Sequence, residues 1–396
     1  MDLAAFAASP AGILVPISGY DARHGEHYQH RAFLPHPLPD TVDLEPPTYH
    51  AVTAATAAVA RLDQATVRLP NPMLLARPAT RREAVTTSAL EGTYAALDDV
   101  LEAEFLEPGE ALPTVSEVVN YVRAAESAYQ WIKDRPITIG LLRELQKILV
   151  EGTPGDTSEA GRVRTIQVFI GLDRGRVEEA RFVPPPPGDQ LAAGLQAWER
   201  WIYEARDIPV IVRVALAHYQ FETLHPFHDG NGRLGRLVCV LQLVAYGELR
   251  VPVLDLSPWL EQRRREYQDH LLRVSLTGEF DPWVRFFCEA VRHQATQALQ
   301  RIDKLLDWRD RTLGRLHTTN VRGVAVRIVE DLIGYPMITP SWAAATYRVT
   351  YQAANTAIRR LADLGILQER TGRRYARVFA ARDVLRIIDG TLGSAP

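Results

Sequence analysis

The stretch His225–Arg236, HPFHDGNGRLGR, constrains this chain of 396 residues more than any other. Asp229-Gly230-Asn231-Gly232 cannot lie inside a helix or strand, so a tight turn must form there. The segment before it, IPVIVRVALAHYQFETL, is apolar enough for a buried central helix running straight into His225. After Gly232, Leu234, Leu237, Leu241 and Val244 fall on one helical face, so helix resumes. The turn therefore feeds a helix N-terminus. Unpaired N–H groups and the positive end of a helix dipole meet at that point and make an anion site. Arg233 and Arg236 are three apart and project from one side of the new helix. Two guanidiniums over such a nest suit a polyphosphate better than one carboxylate. A carboxylate among phosphates, Asp229, is normally a Mg²⁺ ligand. His225 can take a proton near neutral pH.

The rest of the sequence reads as mainly helical. Residues 1–50 are rich in Pro and His without clean periodicity, which predicts an extended arm. Helical patterns follow from residue 48, and after the Pro-Asn-Pro break at 70–72 one amphipathic helix is expected through RREAVTTSALEGTYAALDDVLEAE, with Leu90, Leu97 and Leu101 on one face. Thr138 is placed to cap the helix TIGLLRELQKILVEG. The segment 163–187 alternates β-branched residues around Gly171 and Gly175 and ends in four prolines, which predicts a small β-hairpin. A long helix is expected from Asp281 to about Leu316. The tail 320–396 shows helix, short helix, turn, helix closed by Gly365, then a two-stranded wing around Thr371-Gly372: a winged helix-turn-helix pattern. The expected division is an N-terminal arm and helices over 1–115, a catalytic core over 116–295, a connecting helix over 296–319 and the winged domain over 320–396.

Composition narrows the class. At 46% hydrophobic and 23% charged residues with net charge −3, the chain reads as soluble and globular, with no overall attraction for nucleic acid. The two cysteines, Cys239 and Cys288, sit in apolar runs and suggest buried thiols in a reducing compartment. No apolar run approaches the roughly 18 residues of a membrane span, and the N-terminus lacks the basic start of a signal peptide. A cytoplasmic protein without membrane contact is expected. Lysine occurs three times among 45 basic residues, which reads as GC-rich coding in a bacterial host.

The twelve residues resemble the Fic (Fido) family motif HPFx(D/E)GN(G/K)RxxR at every specified position: His225, Pro226, Phe227, Asp229, Gly230, Asn231, Gly232, Arg233 and Arg236. The resemblance extends from about Phe33 to the C-terminus and implies a Fic-type helical bundle with a β-hairpin flap. It implies protein adenylylation, the transfer of AMP from ATP to a Ser, Thr or Tyr hydroxyl of a target protein. His225 would be the general base, and Asp229 would hold Mg²⁺ against the α- and β-phosphates. Asn231, with the N–H groups of Gly230 and Gly232, would cradle those phosphates, Arg233 would neutralise them, and Arg236 would grip the γ-phosphate. The physics agrees, since in-line displacement at phosphorus needs positioning and charge more than covalent chemistry. Doc-like kinases of the superfamily carry Ala and Lys near positions 230 and 232, so the glycines favour AMP transfer. Phe227 reads as a core anchor. Tyr267 matches a tyrosine lining the adenine pocket, although Gln268 stands where many relatives have a second aromatic.

TTSALEGT resembles the family's inhibitory motif (S/T)xxxE(G/N), read as Thr87, Glu91 and Gly92. Thr87 and Glu91 are i and i+4, one turn apart on one face. The resemblance implies that Glu91 pairs with Arg236, removes the γ-phosphate anchor and restrains the enzyme. The segment 163–172 resembles the Fic flap, on which an extended target segment docks through main-chain hydrogen bonds. Residues 320–396 hold eleven Arg and six Asp or Glu, with Arg359, Arg360, Arg373, Arg374 and Arg377 expected on the recognition helix and wing. DNA phosphates and self-association, including a homodimer, both fit that charge. Two other functions stay open: removal of AMP with Glu91 positioning a water, and a DNA-binding regulator whose Fic body senses nucleotide.

Overall fold

Sixteen α-helices and five strands form among the described residues of the computed structural model, which are 1–396 without 22–23, 108, 172–174, 371–376 and 391–396. The fold is mainly α with small antiparallel sheets. After a single turn, α1 (Leu3–Ala7), strands β1 (Gly12–Asp21) and β2 (Glu26–Pro35) pair antiparallel from Gly12↔Pro35 to Asp21↔Glu26. Most of the expected extended arm is therefore a hairpin. Proline hid it: Pro16 lies in a two-stranded sheet, where each strand has an open edge and a residue without an N–H is tolerated. The hairpin is fixed by Phe6, Phe33 and Phe182, buried together, and by the Phe33 N–H donating to the Val183 carbonyl at 2.9 Å.

Helices α2 (Pro46–Thr66), α3 (Met73–Leu90) and α4 (Leu97–Ala103) follow. The single helix expected across this stretch is two. Gly92, at φ +95°, takes a left-handed conformation, and the Gly92 and Thr93 N–H groups return to the Ala89 and Ser88 carbonyls at 3.0 Å each. That closes α3. The apolar spacing of Leu90, Leu97 and Leu101 survives the break, which is why periodicity alone ran through it.

Next come α5 (Pro113–Trp131) and α6 (Ile139–Val150), the latter capped by Thr138, whose hydroxyl accepts from the Leu141 N–H at 3.1 Å. The hairpin expected over 163–187 is, among the described residues, one antiparallel bridge between Ile170 and Phe182 and a 3₁₀ turn at Val177–Glu179. Residue 172 of the predicted flap lies outside the described residues. Pro184 to Pro187 have no N–H to extend a ladder. Side chains take over instead: Gln167 donates to the Pro184 carbonyl at 2.9 Å and Arg164 to that of Pro185.

Then α7 (Asp189–Glu204) leads to α8 (Val210–Leu224) and α9 (Asn231–Ala245). Helix α8 is buried along nearly its whole length, as its apolar sequence requires. It crosses α9 closely at Gly235, where a Cβ would stand 2.3 Å from Glu222 Oε1 and 3.2 Å from the His218 ring. Helices α10 (Ser257–Gln262), α11 (Arg264–Thr277) and the long α12 (Asp281–Thr318) complete this part.

The tail runs α13 (Val324–Asp331), β3 (Met337–Ile338), α14 (Pro340–Tyr347), α15 (Tyr351–Asp363), β4 (Gln368–Glu369), β5 (Phe379–Ala380) and α16 (Arg382–Asp389). The first three helices fall where the sequence put them, α16 was not expected, and Gly365 ends α15 at φ +71°. β5 lies between β3 and β4, and β3 is a strand the sequence reading missed. Arg359 and Arg360 are exposed on α15, whereas Arg377 is half-buried against Glu369 and Asn355. Arg373, Arg374 and the Thr371-Gly372 turn lie outside the described residues.

Packing divides the chain into two compact units. One gathers Met1–Ala58, Arg123–Glu248 and Trp259–His293, the other Val59–Val122, Leu249–Pro258 and Gln294–Pro396. Each draws on three separated stretches of sequence.

Candidate active site at the His225–Arg236 turn

Helix α8 stops because His225 turns left-handed, with φ +49°, a region that L residues avoid. Such a conformation costs on the order of 1–3 kcal/mol and persists only where neighbours hold it. Here the His225 N–H donates to the Phe221 carbonyl at 3.0 Å. The His225 carbonyl accepts from Arg164 Nε at 2.8 Å, and the Pro226 carbonyl accepts from the Arg164 N–H at 2.9 Å. Phe227 is wholly buried, an anchor worth about 1.5–3 kcal/mol. The Asn231 amide closes the turn on Phe227, accepting from its N–H and donating to its carbonyl, both at 2.8 Å. Its side chain thus builds the loop, and its backbone N–H begins α9.

Gly230 is the N-cap of α9 at φ +84°, and no side chain caps that end. A Cβ at Gly230 would stand 2.8 Å from Leu149. Its N–H donates to Asp229 Oδ1 at 2.6 Å. Arg233 and Arg236 are each only 2% exposed, so both cations are held inside the protein rather than on a solvated face. Arg233 Nη2 lies 3.3 Å from each Asp229 carboxylate oxygen, while the Asp229 side chain keeps 43% of its surface exposed. The first turn of α9 therefore gathers positive charge, and the Asp229 carboxylate remains accessible.

Among the described residues, no cluster of three His, Cys, Asp or Glu side chains is present. A divalent ion would find one hard oxygen donor here, the arrangement Mg²⁺ uses when water and substrate phosphates supply its other ligands. Space beside that donor is kept by Gly155, where a Cβ would stand 2.4 Å from Asp229 Oδ2. The residues fit such an ion.

Tyr267, on α11, is 5% exposed and shares a 2.7 Å hydrogen bond with His218 Nε2, their rings stacked at 5.9 Å. Burial first, and then the charge of Arg236, push the His218 pKa down to about 3, so the ring is neutral. Thr87, Glu91 and Gly92 belong to the other unit: Thr87 is buried on α3, Glu91 is its exposed C-cap, and Gly92 supplies the left-handed turn beyond.

Several residues here escaped the sequence reading. Arg164 is 2% exposed and bonds through its side chain to the carbonyls of His225, Ile166 and Pro185, with its pKa lowered to about 10 by burial. It remains a cation. Gln146 donates to the Asp229 carbonyl at 3.2 Å. Nothing in the periodicity marked Arg164 or Gln146, because each acts on backbone carbonyls remote in sequence. Gly235 sat unremarked at a variable position of the motif. Cys239 and Cys288 are both buried and in no disulfide.

Comparison with known proteins agrees with this geometry. Residues 49–130 match the family described as Fic/DOC family N-terminal, and residues 136–243 match the Fic/DOC family. Both segments are thus similar to that family, and the second holds the whole His225–Arg236 turn. The protein adenylyltransferase Fic of Drosophila ananassae is 29% identical over 216 residues, covering 51% of this chain and 38% of that protein. That of Drosophila erecta is 30% identical over 207 residues, covering 50% and 37%. The chain thus spans well under half the length of these relatives. A Fic family protein from Desulfovibrio desulfuricans shares the fold, with TM-score 0.55 and 19% identity over 87% of this chain and 98% of that one. No helix among the described residues is long and apolar enough to cross a membrane.

Proposed function

We propose that the protein is an adenylyltransferase that moves AMP from ATP to a Ser, Thr or Tyr hydroxyl of a target protein in the cytoplasm. The observation that carries this is the first turn of α9, where two guanidiniums, each 2% exposed, accompany a helix N-terminus that no side chain caps. Buried cations over open N–H groups favour a polyanion. The triphosphate would lie along that turn, with the Gly232 N–H and the backbone of Asn231 beneath it, and with the Gly230 N–H turning to it from Asp229 Oδ1. Arg233 would neutralise the α- and β-phosphates and Arg236 would hold the γ-phosphate. Asp229 would hold Mg²⁺, which supplies further neutralisation at phosphorus. His225 would take the proton from the attacking hydroxyl, and Tyr267 would stand by the adenine. The target would dock as an extended segment on the 163–172 flap. The C-terminal region would serve DNA binding or pairing of two copies.

The regulatory half of the proposal assigns Glu91 as a brake that competes with the γ-phosphate for Arg236. What supports it is placement: a carboxylate at a helix C-terminus faces the negative end of the dipole, an arrangement that costs about 0.3–1 kcal/mol and needs a reason other than helix stability. Gly92 supplies the left-handed turn just beyond it, and Thr87 is buried one helical turn before it. Incubating the protein with labelled ATP and Mg²⁺ tests both halves. Glu91→Gly should raise self-labelling strongly, and adding Arg236→Ala should remove the gain. Wild-type labelling in folded Glu91→Gly protein would sink the brake. Absence of label in every variant would sink the transferase, and release of AMP from a modified target would favour the reverse reaction.

A further inference from the structure

A groove of about 900 Å³ runs between the β1–β2 hairpin and the segment 165–169, and its far wall includes His228. Ser18 and Tyr20 line it from one face of β1, Ile17 and Asp21 from the other. A groove that meets both faces of a strand runs along the strand's edge. Among the described residues that edge is open, because β1 pairs there only with β2 in a two-stranded sheet. Across the groove, the N–H groups of Ile166, Gln167, Val168 and Phe169 have no hydrogen-bond partner among the described residues. Two main-chain edges therefore face one space, and unpaired edges are templates for a further strand.

The lining matches a peptide rather than a phosphate-bearing ligand. Among the described residues no Lys or Arg lines it, while Tyr20, Tyr28, Ile17 and Val168 do. Tyr20 and Ile166 are exposed at 58% and 51%, large apolar surface that this part of the protein leaves uncovered. Tyr28 is positioned by the hairpin itself. It lies opposite Gly19, where a Cβ would stand 2.5 Å from its hydroxyl, and its ring packs edge-to-face on Phe169 at 5.5 Å. His228 is exposed and stands in the chain between His225 and Asp229, so the groove opens onto the catalytic turn.

We propose that the N-terminal hairpin is half of the protein-substrate site: an extended segment of the target lies between the edge of β1 and residues 166–169, with its alternate side chains read by Tyr20 and Tyr28. This rests on the transferase reading for its chemistry, but the groove is tested without it. Full-length protein without nucleotide is mixed with a randomised decapeptide pool, retained peptides are identified by mass spectrometry, and the most enriched one is measured by fluorescence anisotropy. Selection should alternate along the peptide, and N-methylation of its alternate amides should weaken binding at least about tenfold. Ser18→Arg, at an exposed position on the groove wall, should weaken it about as much, and Tyr20→Ala should relax the selection, while ATP affinity by calorimetry stays unchanged. Retention of no peptide by the wild type, or of the same pool with equal affinity by both variants, would overturn the proposal. Peptides that bind yet gain no AMP when ATP and Mg²⁺ are added would overturn the transferase reading and leave the groove standing. Self-labelling without any peptide binding would do the reverse.

Discussion

The His225–Arg236 turn and helix α3 both set arginines against carboxylates, but they hold them differently. At the turn, Arg233 reaches both oxygens of Asp229 only at 3.3 Å, and Asp229 remains accessible. On α3, Arg82 Nε lies 2.9 Å from Asp255 Oδ2, Asp255 is wholly buried, and Arg301 holds its other oxygen. Beside it, the buried Glu83 carboxylate accepts from the Ser257 N–H at 2.9 Å and from its hydroxyl. The Arg233–Asp229 pair is long and stands beside a strained backbone, as suits a carboxylate that a ligand must reach. The other is closed on itself and serves architecture. Within its own unit α3 is also braced by the tail: Arg82 donates to the Ile388 and Asp389 carbonyls at 3.1 and 3.3 Å, and Arg77 lies 4.2 Å over the Tyr335 ring.

The contrast predicts that damage at the turn removes activity and spares stability, whereas damage at the network does the opposite. The largest effect should come from His225→Ala. Loss of a general base lowers transfer by about 10²–10⁴-fold. ATP affinity by calorimetry and the thermal midpoint should stay close to wild type, because the proposal has His225 move a proton while other residues hold the phosphates. A mutant that no longer binds ATP would break the division of labour.

Asp255→Ala comes next. It strands Arg82 and Arg301 beside a dry site, and removing one partner of a buried ion pair typically costs about 3–5 kcal/mol. Urea unfolding should show the loss as a lower midpoint with little change in slope. A loss under about 1 kcal/mol would mean that the network is solvated and comparable to surface pairs.

Acid should probe the core below the turn. The buried His218 ring has its pKa near 3, against about 6.5 when the chain is unfolded. Both states are neutral above that value, so the ring adds no pH dependence there. As pH falls below it the unfolded chain takes up a proton that the folded ring refuses, and stability drops until the folded pKa is reached. Between pH 6.5 and 5 this one group should remove about 2 kcal/mol. His218→Gln, which can still bond the Tyr267 hydroxyl, should flatten that part of the curve in urea midpoints taken across the range. An unchanged slope would assign the acid sensitivity to other groups.

Much of this molecule was legible before any coordinates. Local rules reached it: Thr138 and Gly365 mark helix ends wherever they occur, and a run as dense in glycine and charge as Asp229–Arg233 admits few conformations. Those rules fixed the turn, the helix it starts and the order of the first three helices in the tail. They failed where a residue's environment comes from elsewhere in the chain. Pro16 disguised a ten-residue strand because only its partner β2, paired from Gly12 to Asp21, makes an open edge of it. Gly92 split a helix that Leu90 and Leu97 continued in pattern.

The sequence by itself determined which chemistry the turn can support, because histidine, carboxylate, glycine and arginine have fixed donors, charges and backbone freedom. Tertiary structure alone decided which atoms do which work. It gave the Asn231 side chain to the loop, brought Arg164 across from residues sixty positions away to hold His225 left-handed, and put both motif arginines out of water. Those outcomes depend on burial and on distances between remote segments, and neither is written in the spacing of residues along a chain.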